Sequence, residues 1–86
     1  MNYSVDLSDS AIDEIRPLPA NLKRRIANAL DRIGENPRLG KPLKWELNGL
    51  WSLRIGDYRI IYEIDDVNQV VSVVHARHRR DVYRRR

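Results

Sequence analysis

Two runs of residues with regular apolar spacing flank the dipeptide Gly56-Asp57. In the first run, residues 50–55, apolar and polar side chains alternate, which is typical of a strand with one buried face. The second run, residues 58–64, contains Ile60-Ile61-Tyr62 and indicates a strand that is covered on both faces. A two-residue connection of this kind suits a tight β-hairpin turn. The pattern therefore predicts two antiparallel strands joined at this dipeptide.

Further strands and helices are predicted on both sides of the hairpin. Residues 3–7 alternate and predict a short strand, and the β-branched residues 70–76 predict a central strand. Ser8 or Ser10 is expected to cap a first helix with acidic side chains in its early turns, Asp9, Asp13 and Glu14. A second helix is predicted from an apolar face at helical spacing, formed by Leu22, Ile26, Ala29, Leu30 and Ile33.

The order β-α-α-β-β-β predicts an α+β fold. We expect an N-terminal strand and a helical hairpin packed on a small antiparallel sheet, with a loop at residues 38–45. A basic segment follows the last strand, and from Arg79 it is expected either to form one or two helical turns or to stay mobile. With 86 residues and a mass of 10.1 kDa, the chain is expected to be one domain, residues 1–86.

Composition excludes several classes of protein. No apolar run approaches the ~18–20 residues of a membrane span, and the first residues do not resemble a signal peptide, so no membrane partner is expected. The chain has no Cys, which fits a reducing cytoplasm. With two His and no Cys, a zinc site is not expected, and neither is another metal or cofactor.

The basic residues are mostly arginine and are concentrated near the C-terminus. Of the 16 basic residues, 13 are Arg and 3 are Lys. Residues 75–86 carry six Arg against Asp81 alone, a net of +5, whereas residues 1–74 have a net of −1. Arginine matches phosphate and carboxylate with a planar fork of donors. This distribution indicates a polyanionic partner, either nucleic acid or an acidic protein, unless the tail is only a solvated terminus.

The predicted hairpin places two arginines opposite each other. If Gly56-Asp57 is a two-residue turn, Arg54 faces Arg59 on one side of the sheet. Like charges at such a pair are destabilising, so the pair indicates an anion-binding site. The alternative is that Glu46 or Glu63 neutralises the two side chains.

The segment from Arg77 to Tyr83 adds further candidates for chemistry. His78 can act as an acid or a base near neutral pH, and a tyrosine beside several arginines could take or give a proton. Together with Arg54 and Arg59, these groups would suffice for RNA cleavage by attack of the 2′-hydroxyl on its neighbouring phosphate. Taken alone, His78 is better explained as a surface or packing residue. His75, inside the apolar strand, is interpreted as structural.

The sequence resembles the RelE/ParE toxin superfamily. The stretch LNGLWSLRIGDYRIIYEI, residues 47–64, is similar to the hallmark segment of that superfamily, and HRRDVY, residues 78–83, is similar to its RelE branch. The resemblance implies the toxin of a toxin–antitoxin pair: an endoribonuclease that cuts mRNA in the A site of the 70S ribosome, without metal, leaving a 2′,3′-cyclic phosphate. It also implies a RelB-like antitoxin with an acidic segment, bound in a hetero-oligomer.

The resemblance assigns roles to individual residues. It matches Arg59 and Arg77 to arginines that stabilise the phosphate, and Arg54 to a basic residue of the preceding strand. It implies that Tyr83 takes part in proton transfer or orients the base, and that His78 is a further catalytic candidate. Ser52 stands where some members have a lysine, which leaves the proton acceptor open, with Lys41, Lys44 or Glu46 as substitutes. The residues expected to bind RNA or the ribosome are Lys41, Lys44, Arg79, Arg80, Arg84, Arg85 and Arg86.

Two other functions stay open at this point. A ParE-like toxin that inhibits DNA gyrase by binding would share the fold and the hairpin without needing nuclease residues. A catalytically weak module that binds only an acidic antitoxin is the third interpretation, and Ser52 favours it.

Overall fold

The computed structural model describes residues 2–80. Its elements are β1 (Ser4–Leu7), α1 (Asp9–Ile15), α2 (Ala20–Glu35), β2 (Lys41–Pro42), β3 (Leu50–Ile55), β4 (Tyr58–Asp65) and β5 (Val70–His78), with 3₁₀ turns at Pro37–Leu39 and Trp45–Leu47. The strands form one sheet in the order β1-β5-β4-β3-β2. The α+β class, the two helices and the predicted hairpin are thereby confirmed, and β5 lies inside the sheet as expected of a central strand.

The sheet is mixed rather than antiparallel throughout. β1 pairs in parallel with β5, whereas the other neighbours are antiparallel. A parallel pair needs a long crossover connection, and the two helices and the intervening strands supply it. The structure also adds β2, a two-residue edge strand in the segment that was expected to be a loop.

One face of the sheet carries the core. The α2 side chains Ile26, Ala29 and Ile33 pack against alternate residues of β4 and β5, such as Ile60 and Val73. Within residues 2–80, side chains of β3 and β4 that point the other way, such as Arg54 and Arg59, lie outside this core. We call this second face, which carries Arg54 and Arg59, the open face of the sheet.

Helix α1 lies against β5 and is fixed at its first turn. The Ser8 Oγ accepts a hydrogen bond of 3.0 Å from the Ala11 N–H and donates one of 3.0 Å to the carbonyl of Val74. Of the acidic residues expected in the first turns, only Asp9 lies in the first turn, and Glu14 lies next to the end of the helix. Glu14 therefore has a different role from a favourable interaction with the helix dipole.

Buried Tyr62 holds the segment that leads into β2. Its hydroxyl donates to the carbonyl of Pro37 at 2.7 Å and accepts from the N–H of Gly40 at 3.1 Å. Burial raises the pKa of the Tyr62 hydroxyl, and the hydrogen bond from Gly40 lowers it less than burial raises it. The neutral phenol thus acts as a fixed donor and acceptor that places Lys41 beside β3.

Candidate nucleic-acid interface: an arginine row on the open sheet face

Three arginines occupy one row across the open face. The register pairs Arg54 of β3 with Arg59 of β4, and Arg59 in turn with Arg77 of β5. Side chains directly opposite each other in a sheet have their Cβ atoms ~4.5–5.5 Å apart, so Arg59 lies at this spacing from both Arg54 and Arg77. We call Arg54, Arg59 and Arg77 the arginine row. Its like charges suit the binding of an anion.

A β-bulge brings Arg77 into this row. The pairing of β4 with β5 shifts between Ile61 and Tyr62, because Ile61 faces His75 whereas Tyr62 faces Val73, leaving Val74 unpaired. Strict alternation from buried Val73 would place Arg77 on the core face. The extra residue reverses that alternation, so Arg77 points to the open face.

Neither glutamate proposed as a neutralising partner pairs with the arginine row. Glu63 lies on the same face, opposite Leu50, but within residues 2–80 neither Glu63 nor Glu46 forms an ion pair with these arginines. Among the described residues, a carboxylate from α1 does contact the row. Arg77 Nε donates to Glu14 Oε2 at 2.8 Å.

The Arg59 guanidinium group is hydrogen-bonded to Ser52. The Arg59 Nη1 donates to the Ser52 Oγ at 3.2 Å, and Ser52 is 4% exposed, so the acceptor is fixed in the sheet. Lys41 pairs with Ser52 across β2 and β3 and lies beside them. These residues and Arg54 line a cleft of about 210 Å³. Ser52 thus serves as a neutral support for Arg59, and the nearest lysine to the cleft is Lys41.

His78 lies apart from the arginine row. It pairs with Tyr58, on the face opposite Arg59 and Arg77, and its ring meets the Tyr58 ring edge-on at a centroid distance of 5.4 Å. The N–H of Arg80 donates to His78 Nδ1 at 3.2 Å, so the neutral ring carries its hydrogen on Nε2. The structure therefore does not bring His78 together with the three arginines.

The remaining predicted residues fall in three groups. Arg79 and Arg80 adopt helical conformation directly after β5, and the N–H of Arg79 donates to the carbonyl of Asp57 at 2.6 Å. Lys44 is exposed and does not line the cleft. The others, Tyr83, Arg84, Arg85 and Arg86, lie outside the described residues.

An apolar groove, missed from the sequence, adjoins the arginine row. It has a volume of about 440 Å³ and is lined by apolar side chains together with Glu63, His75 and Arg77. The apolar lining consists of Leu43, Leu47, Leu50, Ile61 and Val74. The signal in the sequence is Leu43, in the predicted loop at residues 38–45, and Leu47, just after that loop, because neither leucine belongs to the core.

The described part of the chain contains neither a candidate metal site nor a helix that could cross a membrane. Residues 2–80 contain no group of three or more His, Cys, Asp or Glu side chains placed to hold a metal ion. None of their helices has the length and apolar character needed to cross a membrane.

Comparison with known proteins decides the family. Residues 5–83 match the family model described as the ParE toxin of the type II toxin–antitoxin system parDE. The match spans nearly the whole chain.

The chain belongs to the RelE/ParE toxin superfamily.

Relatives and structures of this superfamily agree with the assignment. Toxin RelG of Mycobacterium tuberculosis is 37% identical, with 99% of this chain and 100% of RelG aligned. The Escherichia coli protein named mRNA interferase toxin RelE is 29% identical, with 96% of this chain and 92% of that protein aligned. The crystal structure of the M. tuberculosis toxin–antitoxin complex RelBE2 matches with a TM-score of 0.85 and 31% identity, covering 91% of this chain and 92% of the matched chain. The RelE-like resemblance is thus confirmed.

The β3–β4 hairpin supplies two of the three residues of the arginine row, Arg54 and Arg59. Ile55 pairs with Tyr58, so Gly56 and Asp57 form the predicted two-residue turn, with Gly56 at a φ of +59° that glycine adopts without strain. Arg54 and Arg59 follow as the next pair. The tight turn of the RelE/ParE segment thus fixes the spacing of two basic side chains.

Proposed function

We propose that this protein is the toxin of a toxin–antitoxin pair and an endoribonuclease that cuts mRNA in the ribosomal A site. The observation that carries the proposal is the registered row Arg54–Arg59–Arg77, three directly adjacent cations on the open face of the sheet. The name of the E. coli relative, mRNA interferase toxin, supports the same chemistry.

The arginine row suits the charge that develops during RNA cleavage. The 2′-hydroxyl oxygen forms a bond to the adjacent phosphorus, and the bond from phosphorus to the 5′-oxygen breaks, giving a 2′,3′-cyclic phosphate and a 5′-hydroxyl. Extra negative charge accumulates on the phosphate oxygens at the five-coordinate stage, and guanidinium groups held beside them stabilise it. One proton leaves the 2′-hydroxyl and one reaches the 5′-oxygen, so the reaction needs no oxidant, reductant or cofactor.

Proton transfer is proposed for Tyr83 rather than for His78. The family resemblance implies that role for Tyr83, which follows β5 in the chain. His78 faces Tyr58 on the other side of the sheet, and its Nδ1 accepts the Arg80 N–H. Lys41 lies on the same face as the arginine row, whereas His78 does not. A phosphate on the row is therefore better placed to contact Lys41 than His78.

We propose an acidic antitoxin segment as the partner that inhibits this site. The RelBE2 neighbour is a toxin–antitoxin complex, which supports a partner of that class. The open face offers an apolar groove of about 440 Å³ beside three guanidinium groups. An amphipathic segment with apolar anchors and carboxylates matches this combination.

A second candidate is inhibition of DNA gyrase by binding. The observation that favours it is the matched family model, which carries the ParE description. In that case the arginine row would contact a protein surface. Gyrase inhibition would induce the DNA-damage response and leave mRNA intact.

The test uses three single-alanine variants expressed in cells. Arg59→Ala and Arg77→Ala each remove one donor from the row, and Arg24→Ala is the matched control because Arg24 is an exposed arginine of α2. Loss of one oxyanion-type donor costs roughly 10²–10³ in rate, or about 2.7–4 kcal/mol. We expect the parent and Arg24→Ala to arrest growth and cut mRNA, and the two row variants to do neither. If both row variants stay as toxic as the parent, the proposal is wrong.

A further inference from the structure

Glu14 is the carboxylate through which α1 contacts β5. Its Oε2 accepts the Arg77 Nε at 2.8 Å, and its Oε1 accepts the Ala76 N–H at 2.9 Å. The His75 Nδ1 lies 3.3 Å from the same Oε1. The Glu14 side chain is 26% exposed, so these contacts are partly shielded from water.

Glu14 lies beside the part of β5 that has no neighbouring strand on the β1 side. The last residue of β1, Leu7, pairs with Val73, so β1 does not cover the edge of β5 beyond that point. Ser8 fixes the start of α1 to the carbonyl of Val74, and α1 then runs along the uncovered edge. Glu14 satisfies the Ala76 N–H there, as buried sheet edges require.

The contact to Arg77 uses only one of its donors. Arg has five N–H groups, and Nε–H supplies one of them. A hydrogen bond at Nε fixes the plane of the guanidinium group and leaves the four N–H groups of the two terminal nitrogens for a ligand. Those four donors form the end of the fork that binds phosphate in a bidentate manner.

We propose that Glu14 is a positioning residue that holds the Arg77 guanidinium in the arginine row for the scissile phosphate. The inference rests on the proposed function and extends it to a residue on a different element, 63 positions before Arg77. A lysine at position 77 could not replace the arginine, because a single ammonium group cannot contact Glu14 with one edge and a phosphate with another.

The charge of Glu14 supports this role. Burial raises the pKa of the Glu14 carboxyl. The hydrogen bonds from Arg77 and Ala76, together with the nearby His75, lower it by more than burial raises it, so the pKa lies below its ordinary value. The carboxylate is therefore ionised at neutral pH and binds Arg77 through a charge-assisted hydrogen bond.

The experiment measures single-turnover mRNA cleavage by the purified full-length protein on programmed ribosomes. Glu14→Gln keeps the shape and one acceptor oxygen but removes the charge. The matched control is Asp13→Asn, since Asp13 precedes Glu14 on α1 and pairs with Arg16 only at 3.8 Å on the surface. We expect Glu14→Gln to slow cleavage by about 10- to 100-fold, a range known for supporting residues, and Asp13→Asn by less than about twofold.

A double-mutant cycle separates positioning from a general structural effect. If Glu14 acts through Arg77, Glu14→Gln slows an Arg77→Ala variant by no more than about twofold further. Thermal unfolding of each variant reports the folded fraction, so that rates refer to folded protein. The inference about Glu14 is wrong if the Glu14→Gln variant cleaves mRNA at the parent's rate. It is also wrong if Glu14→Gln slows the parent and the Arg77→Ala variant by the same factor. Neither result contradicts the proposed function. A parent protein that does not cleave mRNA overturns the proposed function and this inference together.

Discussion

Arg54 and Arg59 face each other directly across the β3–β4 hairpin, one residue pair away from its turn. Such a like-charge pair opposes folding, by an amount that neighbouring charges and solvent reduce. The Arg54–Arg59 pair therefore makes the hairpin less stable at the position where the protein is proposed to bind phosphate. This trade is common at functional sites, where local optimisation for folding gives way to binding.

Reversing one charge of this pair is expected to stabilise the fold. Arg54→Glu places a carboxylate opposite Arg59, and a favourable cross-strand pair contributes about 0.2–1 kcal/mol. We predict a higher melting temperature at low salt and a smaller gain at high salt, because Arg54 is exposed and salt screens exposed charges. Arg24→Glu changes the net charge equally on an exposed face of α2 and serves as control. A gain no greater than that of the control contradicts the prediction.

Tyr62 is expected to contribute strongly through its hydroxyl. Tyr62→Phe leaves the carbonyl of Pro37 and the N–H of Gly40 without their buried partner. An unsatisfied buried group costs about 1–3 kcal/mol, and each kcal/mol lowers the melting temperature of a domain this small by about 4–8 °C. Tyr3→Phe, which removes an exposed hydroxyl that donates to Asp66, is expected to cost less in the same thermal denaturation. If the two variants lose equally in melting temperature, burial of the hydroxyl does not determine the loss, and the prediction is wrong.

Two glycines are expected to respond differently to alanine. At Gly40 a Cβ would lie 2.5 Å from the Ser52 carbonyl oxygen and 2.8 Å from the Tyr62 hydroxyl. Overpacking of this kind costs about 1–3 kcal/mol, and the required shift would disturb the cleft that Gly40 and Lys41 both line. At Gly49 a Cβ would meet no atom of residues 2–80 within 4 Å apart from its chain neighbours, and the φ of +97° opposes a side chain. We predict that Gly40→Ala lowers both the melting temperature and the cleavage rate, whereas Gly49→Ala leaves the rate unchanged.

Stability is expected to fall in acid. Hydrogen bonding to Arg38 and then to Tyr3 holds the pKa of Asp66 below its ordinary value, and the pKa of Glu14 is lowered as well. A carboxyl with a depressed pKa in the folded state stabilises the fold above its unfolded pKa, and the contribution is lost as pH falls through the folded pKa. Melting temperatures between neutral pH and about pH 3 should decrease below about pH 4.5, and Glu14→Gln should decrease less than the parent. Identical curves would contradict the role of Glu14.

Local patterns predicted the elements well. The alternation around Gly56-Asp57 gave the hairpin and the Arg54–Arg59 register, and Ser8 caps α1 as one of the two expected alternatives. These features depend on neighbours in sequence, where period and turn chemistry are informative. The direction of β1 was not predictable in this way, because it depends on how the long crossover connects β1 to β5.

The complete site depends on features that alternation does not reveal. The bulge at Val74 turns Arg77 to the open face, and nothing in the run Val70–Ala76 marks it. The same bulge leaves His78 on the other face, so adjacent residues in sequence are separated by the sheet. Glu14 carried a weak signal, since it lies one turn after buried Ala11 on the helix face that meets β5. An acidic residue on such a face indicates a partner elsewhere in the fold.

The most direct test of the central claim is cleavage of a defined mRNA on purified ribosomes by the purified protein. A matched mRNA with a 2′-deoxynucleotide at the cleavage position lacks only the nucleophile. We predict one cut in the A-site codon of the ribonucleotide mRNA, a 2′,3′-cyclic phosphate at the new end and no cut in the deoxy-substituted mRNA. Intact ribonucleotide mRNA, or equal cleavage of both, would contradict the account.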